Sequence, residues 1–252
     1  MTVIFMAPIG LDATSWAWVD VAEGAAKHQF PGFGRPRSPL QPTMASLADE
    51  VAAAYDGPLD LIGVSMGGMV GLHVALRHPA RVTSLLVACT GASAEPARML
   101  ARAASAEEVG MAAILGSTLE RWFTPDALAF PGHPGVAHAR RTLLRLDPRA
   151  FADGWRAIAT HDAAPRLGEL SIPVTAIAGG RDSASPLARS AQIAERTPRG
   201  RLVVVDEAPH MIHLECPEKF SAAVSEHLTW AERHCGQLPG SRARGSYERD
   251  PH

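Results

Sequence analysis

The stretch LIGVSMGGMV, residues 61–70, places a single hydroxyl between two glycines at the junction of two apolar runs. LDLIGV (59–64) indicates a buried strand, and MGGMVGLHVALRH (66–78) has the spacing of a helix that stops before Pro79. The flanking glycines remove side chains that would block a sharp turn from strand to helix. The pattern therefore predicts a strained turn that holds the Ser65 hydroxyl at the end of a strand.

Strand-like and helix-like segments alternate on both sides of this turn. Short apolar runs bounded by turn residues predict strands, and apolar residues at helical spacing predict the helices between them. The alternation predicts an α/β fold with a mostly parallel sheet of about six strands, covered by helices on both faces. The predicted strands are 2–7, a weaker one ending near 28–30, 59–64, 81–90, 172–180 and 201–206, and the helices are 45–55, 66–78, 186–197 and 217–234.

Residues 92–165 interrupt this alternation because they contain no convincing strand pattern. Two stretches, 105–123 and 138–162, have helical spacing, and a predicted loop, TPDALAFPGHPG (124–135), separates them. An insertion of this kind between two core strands predicts a helical cap. The predicted domains are a core of residues 1–91 and 166–234, a cap of residues 92–165 and a disordered tail of residues 235–252, which is polar and rich in turn formers.

Composition and charge exclude several classes of protein. The chain has 252 residues, a formal net charge of −2 and 46% hydrophobic residues, which suits a stable core and argues against a nucleic-acid surface. The N-terminal MTVIFMAPIG lacks the features of a signal peptide, and no stretch is long enough to span a membrane. We therefore expect a cytoplasmic protein without nucleic-acid or membrane partners, and a homo-oligomer is compatible with this sequence.

Neither the cysteines nor the histidines have the spacing of a metal site. Cys89, Cys216 and Cys235 show no paired spacing, which is typical of a protein from a reducing compartment. The H-x-x-x-H pattern of a zinc site is also absent from the set His73, His78, His133, His138 and His161. The sequence therefore predicts no metal and no disulfide.

A serine hydroxyl needs a base and an orienting acid before it acts as a nucleophile. In the strand–turn–helix context of Ser65, the chain order expected for the three groups is serine, acid, histidine. AGGRDSASP supplies Asp182 just past one predicted strand, and VVVDEAPHMIHLE supplies His210 just past the next. Because carboxyl ends of parallel strands meet at one edge of a sheet, we expect these three side chains to converge as a catalytic triad.

Other residues compete for two of these roles. His213 is a rival base, but it lies on the helical side of the turn, whereas His210 directly follows the loop. Asp206 and Glu207 are rival acids close to His210 in sequence. Asp182 is favoured over both because it ends the preceding strand.

The same turn predicts where a negative charge on oxygen would be stabilised. An oxyanion hole needs two donors, and the first is the backbone N–H of Met66, which follows the nucleophile. The second is expected from the loop after the first strand, MAPIGLDATSW. Pro8 has no N–H, so Ile9 is the predicted donor and Gly10 the alternative.

Two residues of the predicted cap are candidates for contact with a substrate. Trp122 is expected either to line the substrate pocket or to belong to the core of the cap. The Arg121 guanidinium suits a substrate carboxylate, although a solvated helix face is the favoured interpretation of this residue. Arg140, Arg141 and Arg145 have helical spacing and also predict a solvated face.

The motifs PIGLDATSW, PGFGRPRSP, GVSMGGM, IPVTAIAGGRD and APHMIHLE occur in this order, and with them the chain resembles an α/β-hydrolase from residue 3 to about 231. Within that superfamily it is most similar to the 3-oxoadipate enol-lactonases, on IGLDATSW, LERWFTPDAL and DPRAFADGWRAIATHD. The resemblance implies an α/β-hydrolase fold and hydrolysis of a lactone through a seryl ester, without metal or organic cofactor. The chain departs from the superfamily in lacking the strand hairpin that usually precedes the first strand here.

Three functions compete on this evidence. The leading hypothesis is a serine hydrolase that cleaves a small lactone or carboxylic ester through a seryl acyl-enzyme. The second is hydrolysis of a carbon–carbon bond in a vinylogous diketone, which uses a similar triad, and the third is a non-catalytic ligand-binding protein. The segment LERWFTP favours the lactonase, and the complete triad argues against the non-catalytic protein.

Overall fold

The computed structural model describes residues 1–20 and 24–234. The predicted tail, 235–252, lies outside the described residues. Over the described part of the chain, no helix is long and apolar enough to cross a membrane.

Six parallel strands form one sheet in the order β2-β1-β3-β4-β5-β6. The prediction of an α/β fold with about six strands is therefore confirmed. Both faces of the sheet are covered, because adjacent residues of a strand belong to two separate hydrophobic clusters, as Ile4 and Phe5 do on β1. The strands are β1 (Thr2–Met6), β2 (Ala26–His28), β3 (Leu59–Val64), β4 (Val82–Ala88), β5 (Val174–Gly179) and β6 (Gly200–Val205).

Helices connect the strands, and their starts show why they form where they do. Thr43 caps α1: its side chain accepts from the Ser46 N–H, and the Ser46 hydroxyl reciprocates at the Thr43 N–H. Each residue thus satisfies a backbone N–H of the other at the start of the helix. The helices are α1 (Met44–Ala54), α2 (Met66–Arg77), α3 (Pro96–Trp122), α4 (Pro125–Ala129), α5 (Pro134–Arg145), α6 (Pro148–Ala159), α7 (Leu187–Arg196), α8 (Ile212–Glu215) and α9 (Pro217–His234).

The segment between β4 and β5 is helical, as expected, but its divisions differ from the prediction. Helix α3 begins at Pro96, before the predicted start at residue 105, and Gly110 interrupts it with a φ of 78°. The predicted loop contains the short helix α4. The predicted helix 138–162 is two helices, because Pro148 cannot continue α5 and Asp147 caps a new helix there.

The two ends of this segment are joined to each other. The Ala94 N–H donates to the His161 carbonyl over 2.9 Å, and the Ala163 N–H donates to the Ala92 carbonyl over 2.7 Å. Ser93 and Asp162 form an antiparallel bridge between these bonds. Asp162 therefore lies where the helical segment rejoins the strands.

Candidate active site

Ser65 occupies a strained turn between β3 and α2. Its φ of 52° and ψ of −116° lie in a region that side-chain-bearing residues rarely adopt. A Cβ on Gly67 would stand 2.0 Å from the Met6 carbonyl oxygen, and one on Gly63 would stand 2.4 Å from the Gly67 carbonyl carbon. Both glycines are therefore required by the close approach of backbone segments at this turn.

Ser65, His210 and Asp182 form a continuous hydrogen-bonded chain. His210 Nε2 lies 3.0 Å from Ser65 Oγ, and His210 Nδ1 lies 2.9 Å from Asp182 Oδ2. An ionised carboxylate can only accept, so Nδ1 carries the ring proton and Nε2 is left to accept from the Ser65 hydroxyl. The other oxygen of Asp182 accepts from the N–H groups of Ala184 and Ser185, both over 2.8 Å, which orients the carboxylate.

The rival residues are placed elsewhere. His213 is fully buried and stacks on Trp16, with 4.7 Å between ring centroids. Neither of its ring nitrogens has a hydrogen-bond partner in the described structure, and burial lowers its pKa to about 3. Asp206 and Glu207 are both exposed, and Glu207 pairs with Lys219. The structure thus brings His210 and Asp182 to Ser65.

The two predicted oxyanion donors belong to backbone segments that touch each other. The start of α2 packs so closely on the loop after β1 that a Cβ on Gly67 would also stand 2.9 Å from the Ala7 carbonyl oxygen. Ile9 and Met66 are both buried. Within residues 1–20 and 24–234, the N–H groups of Ile9, Gly10 and Met66 donate no hydrogen bond to the protein. These amides are therefore free to bind an oxygen.

A small cavity of about 50 Å³ opens onto Ser65 and His210. The helical segment supplies one side of its lining and the strand-bearing part supplies the other. Trp155 of α6 is among the lining residues, whereas Trp122 is not. The described residues that line the cavity are Ser65, Met69, Cys89, Ala94, Arg98, Met99, Arg102, Trp155, Ile158, Ala184, Ser185, Arg189 and His210.

Trp122 is buried behind the histidine loop. Only 2% of its surface is exposed, and its carbonyl accepts from the N–H of Met211 over 3.0 Å. Met211 directly follows His210, so the end of α3 supports the loop that presents the imidazole. Arg121 is half-buried beside it and contacts the Thr118 hydroxyl over 3.3 Å. It is therefore less solvated than a free helix face, and burial lowers its pKa.

Sequence patterns missed the arginines and the tryptophan of the cavity. Arg98 and Arg102 are four residues apart on α3 and therefore lie on one face of the helix. That spacing was a usable signal, but it lay outside the predicted helix. Trp155 lies in the predicted helix 138–162, but no feature of the neighbouring sequence distinguishes it from Trp122 as a residue of the cavity.

A larger surface depression, of about 430 Å³, lies between the loop after β1 and α5. Arg141 and Arg145 line it, and both are exposed together with Arg140, as predicted for a solvated face. Ser65 and His210 do not contribute to its lining. We therefore assign the reacting groups to the smaller cavity.

Cys89 lines the cavity, but burial raises the pKa of its thiol well above the usual value, so the thiolate is disfavoured. Among the described residues, no three His, Cys, Asp or Glu side chains are grouped closely enough to hold a metal ion.

Comparison with known proteins agrees with this geometry. Residues 3–223 match the family described as the alpha/beta hydrolase family. The chain is 31% identical over 199 residues to 3-oxoadipate enol-lactonase 2 of Acinetobacter baylyi, an alignment that covers 77% of this chain and 74% of the relative. It is 30% identical over 192 residues to a pimeloyl-[acyl-carrier protein] methyl ester esterase of Neisseria meningitidis, covering 71% and 72%.

The fold is also similar to that of solved structures. The crystal structure of the enol-lactonase from Burkholderia xenovorans LB400 superposes with a TM-score of 0.84 and 26% identity, covering 90% of this chain and 91% of that one. A thermophilic esterase from Thermogutta terrifontis superposes with a TM-score of 0.83 and 24% identity, covering 92% and 90%.

Proposed function

Because this chain belongs to the alpha/beta hydrolase family, we propose that it is a serine hydrolase that cleaves a small carboxylic ester or lactone through a seryl acyl-enzyme. The observation that carries this proposal is the hydrogen-bonded chain from Asp182 through His210 to Ser65. The cavity of about 50 Å³ beside Ser65 and His210 would hold the reacting carbonyl group of a small substrate.

Acylation would begin with attack of Ser65 Oγ on the carbonyl carbon. His210 Nε2 takes the hydroxyl proton as the new C–O bond forms, and Asp182 stabilises the imidazolium. The negative charge that develops on the carbonyl oxygen is bound by the Ile9 and Met66 amides, and loss of one such donor typically costs about 10²–10³ in rate. His210 then gives its proton to the leaving oxygen as the ester bond breaks.

Deacylation would reverse the roles with water as the nucleophile. His210 takes a proton from water, the hydroxide attacks the acyl carbon, and the proton returns to Ser65 Oγ as the acid leaves. In a lactone the leaving oxygen stays attached to the acyl group, so ring opening and hydrolysis give a single hydroxy acid or its keto form. An ester instead releases a separate alcohol after the first step. An enol leaves more readily than an alkoxide, so an enol-lactone demands less of His210 as a general acid.

An enol-lactone is therefore the first substrate to test. The similarity to the enol-lactonases of Acinetobacter and Burkholderia supports this choice, and the similarity to a methyl ester esterase supports including simple esters. We propose cytoplasmic hydrolysis of such a compound without a cofactor.

We also propose that residues 92–165 act as a cap that sets the substrate range. The support for this role is that α3 and α6 line one side of the cavity that holds Ser65. Trp155 would contact the substrate directly. Trp122 would affect the substrate only indirectly. Its carbonyl accepts a hydrogen bond from the Met211 N–H and so helps to position the neighbouring His210.

The test uses the wild-type protein and the Ser65→Ala variant. We expect a fluorophosphonate to label the wild type at Ser65 and to leave Ser65→Ala unlabelled. Turnover of the best substrate should fall about 10⁴- to 10⁶-fold in the variant, because the nucleophile is lost while binding is retained. Circular dichroism controls for folding, and equal turnover by the two folded proteins would reject the assignment.

The substrate panel separates the two catalytic hypotheses. It contains 3-oxoadipate enol-lactone, other lactones, aryl esters and a vinylogous diketone. Turnover confined to the diketone would favour carbon–carbon hydrolysis over our proposal. Absence of both labelling and turnover would favour a ligand-binding protein.

A further inference from the structure

The cavity at Ser65 carries an excess of positive charge. Three arginines line it, Arg98, Arg102 and Arg189, and its lining contains no aspartate or glutamate. A small cavity with this composition favours a ligand that brings negative charge of its own. The question is which arginine is available to bind it.

Two of the three arginines are already engaged by the protein. Arg98 lies 3.3 Å from a carboxylate oxygen of Glu95, one turn away on the same helix. Arg189 donates to the Ser93 carbonyl and packs against Gly91, at the start of the helical segment. Both side chains therefore have a structural partner.

Arg102 has no such partner. Its guanidinium stacks over the Trp155 ring at 4.8 Å from the centroid and, within the described residues, makes no hydrogen bond or ion pair. It is half-buried, and the charges that act on it are those of Arg121 and Arg98. Burial and these like charges lower its pKa to about 10, which leaves it cationic at neutral pH. A stacked guanidinium presents its edge, with its fork of N–H donors, to a ligand.

Arg102 and Trp155 also connect the cavity to a second, adjoining one. The two residues line both cavities, and Arg121 also lines the second. A ligand that extends from Ser65 toward this second cavity therefore meets Arg102 first. The chain between its reacting carbonyl and its far end would lie along the apolar side chains of Met99 and Ile158.

We propose that Arg102 is the residue that sets specificity at the far end of the substrate, by binding a negatively charged group there such as a free carboxylate. The planar guanidinium matches a carboxylate through two parallel hydrogen bonds, and Trp155 holds it in that orientation. This inference rests on the proposed hydrolysis at Ser65 for its kinetic consequences. The anion site itself requires only the unpaired guanidinium in the cavity.

The kinetic test compares two aryl esters that differ at the far end. Mono-4-nitrophenyl adipate ends in a carboxylate, and 4-nitrophenyl hexanoate ends in a methyl group at the same position. We expect wild-type kcat/KM to favour the adipate by about 10- to 100-fold, as for a charge-assisted pair. Arg102→Gln should abolish this preference, because it lowers kcat/KM for the adipate more than kcat/KM for the hexanoate. Arg102→Lys, which keeps the charge but loses the fork, should fall between the two.

Arg196→Gln is the matched control. It removes one positive charge from the exposed end of α7, outside the lining of the cavity, and should retain the wild-type preference. Equal kcat/KM for the two esters in the wild type would overturn the inference. So would an equal loss on both esters in Arg102→Gln, because that result indicates a general defect in the site.

A binding measurement separates this inference from the proposed hydrolysis. Adipate is titrated calorimetrically into Ser65→Ala with and without Arg102→Gln. We expect the second substitution to weaken adipate binding at least about tenfold. Adipate binding that depends on Arg102, with no turnover of either ester by the wild type, would reject the hydrolysis and retain the anion site. Adipate binding that is absent or unaffected by Arg102→Gln would reject the anion site.

Discussion

His210 and His213 are three residues apart, but their surroundings differ completely. His210 contacts an acid through one ring nitrogen and a hydroxyl through the other. His213 lies against Trp16 and Phe220, with neither nitrogen hydrogen-bonded within the described structure. A general base needs both an orienting partner and access to the proton it removes. These contacts support the base role for His210.

We predict that His210→Ala lowers kcat by about 10⁴- to 10⁶-fold, because the attacking hydroxyl loses its base. His213→Leu is the matched variant and should retain wild-type activity. Its unfolding free energy should be equal or higher, because a buried imidazole without partners is replaced by an apolar side chain of similar size. Single-turnover kinetics and urea unfolding measure the two effects. Loss of activity in His213→Leu with retention in His210→Ala would exchange the two roles.

At the scale of elements, the active site depends on how closely α2 approaches β1. The backbone of Gly67 in the first turn of α2 meets the Met6 carbonyl at the end of β1 with no room for a side chain. This contact sets the start of α2, and with it the Met66 amide, beside the loop that contains Ile9. The packing of one helix on one strand thus places both proposed oxyanion donors.

We predict that Gly67→Ala destabilises the fold by at least about 3 kcal/mol, since the new Cβ would overlap a backbone oxygen that cannot move aside. Gly116→Ala in α3 is the control, because a Cβ there meets nothing within 4 Å. It should stabilise the protein by about 0.5–1 kcal/mol through helix propensity. Urea unfolding measures both free energies. Equal stability of the two variants would contradict the packing argument.

At the scale of the whole molecule, the buried histidines couple stability to pH. His161, His213 and His227 are nearly inaccessible to solvent, and burial lowers the pKa of each to about 3. His227 is held neutral between the Thr175 and Ser84 hydroxyls, and His161 bonds to the Gly91 carbonyl. In the unfolded chain each imidazole takes up a proton near its ordinary pKa of about 6.5. Unfolding at mildly acid pH therefore binds protons.

Stability should be greatest above about pH 6.5 and should decline as pH falls toward the folded-state pKa near 3. At pH 5, each such histidine costs about 2 kcal/mol, the free energy of protonating it in the unfolded chain alone. We predict that the Tm is at least about 6 °C lower at pH 5 than at pH 7.5. His227→Gln should reduce this difference, since one of the three groups is removed. Scanning calorimetry at the two pH values measures it, and equal Tm values would contradict the linkage.

Local patterns determine a large part of this protein. Period-two and buried apolar runs specify strands, and helical spacing specifies helices, because these patterns depend on residues that are close in sequence. The glycines around Ser65 predict the turn for the same reason. The expected convergence of Ser65, Asp182 and His210 needed one further rule, that carboxyl ends of parallel strands share an edge.

Tertiary packing alone decided the rest. The break at Pro148 carried a local signal. The contacts of Trp122 with Met211, of Trp155 with Arg102 and of His213 with Trp16 carried none, because each joins segments that are distant in sequence. The cavity arises where α3 and α6 pack over the strand ends, and that packing depends on side chains far apart in sequence. A charged side chain such as that of Arg102 binds an anion strongly only when folding removes its hydration shell and places no carboxylate beside it.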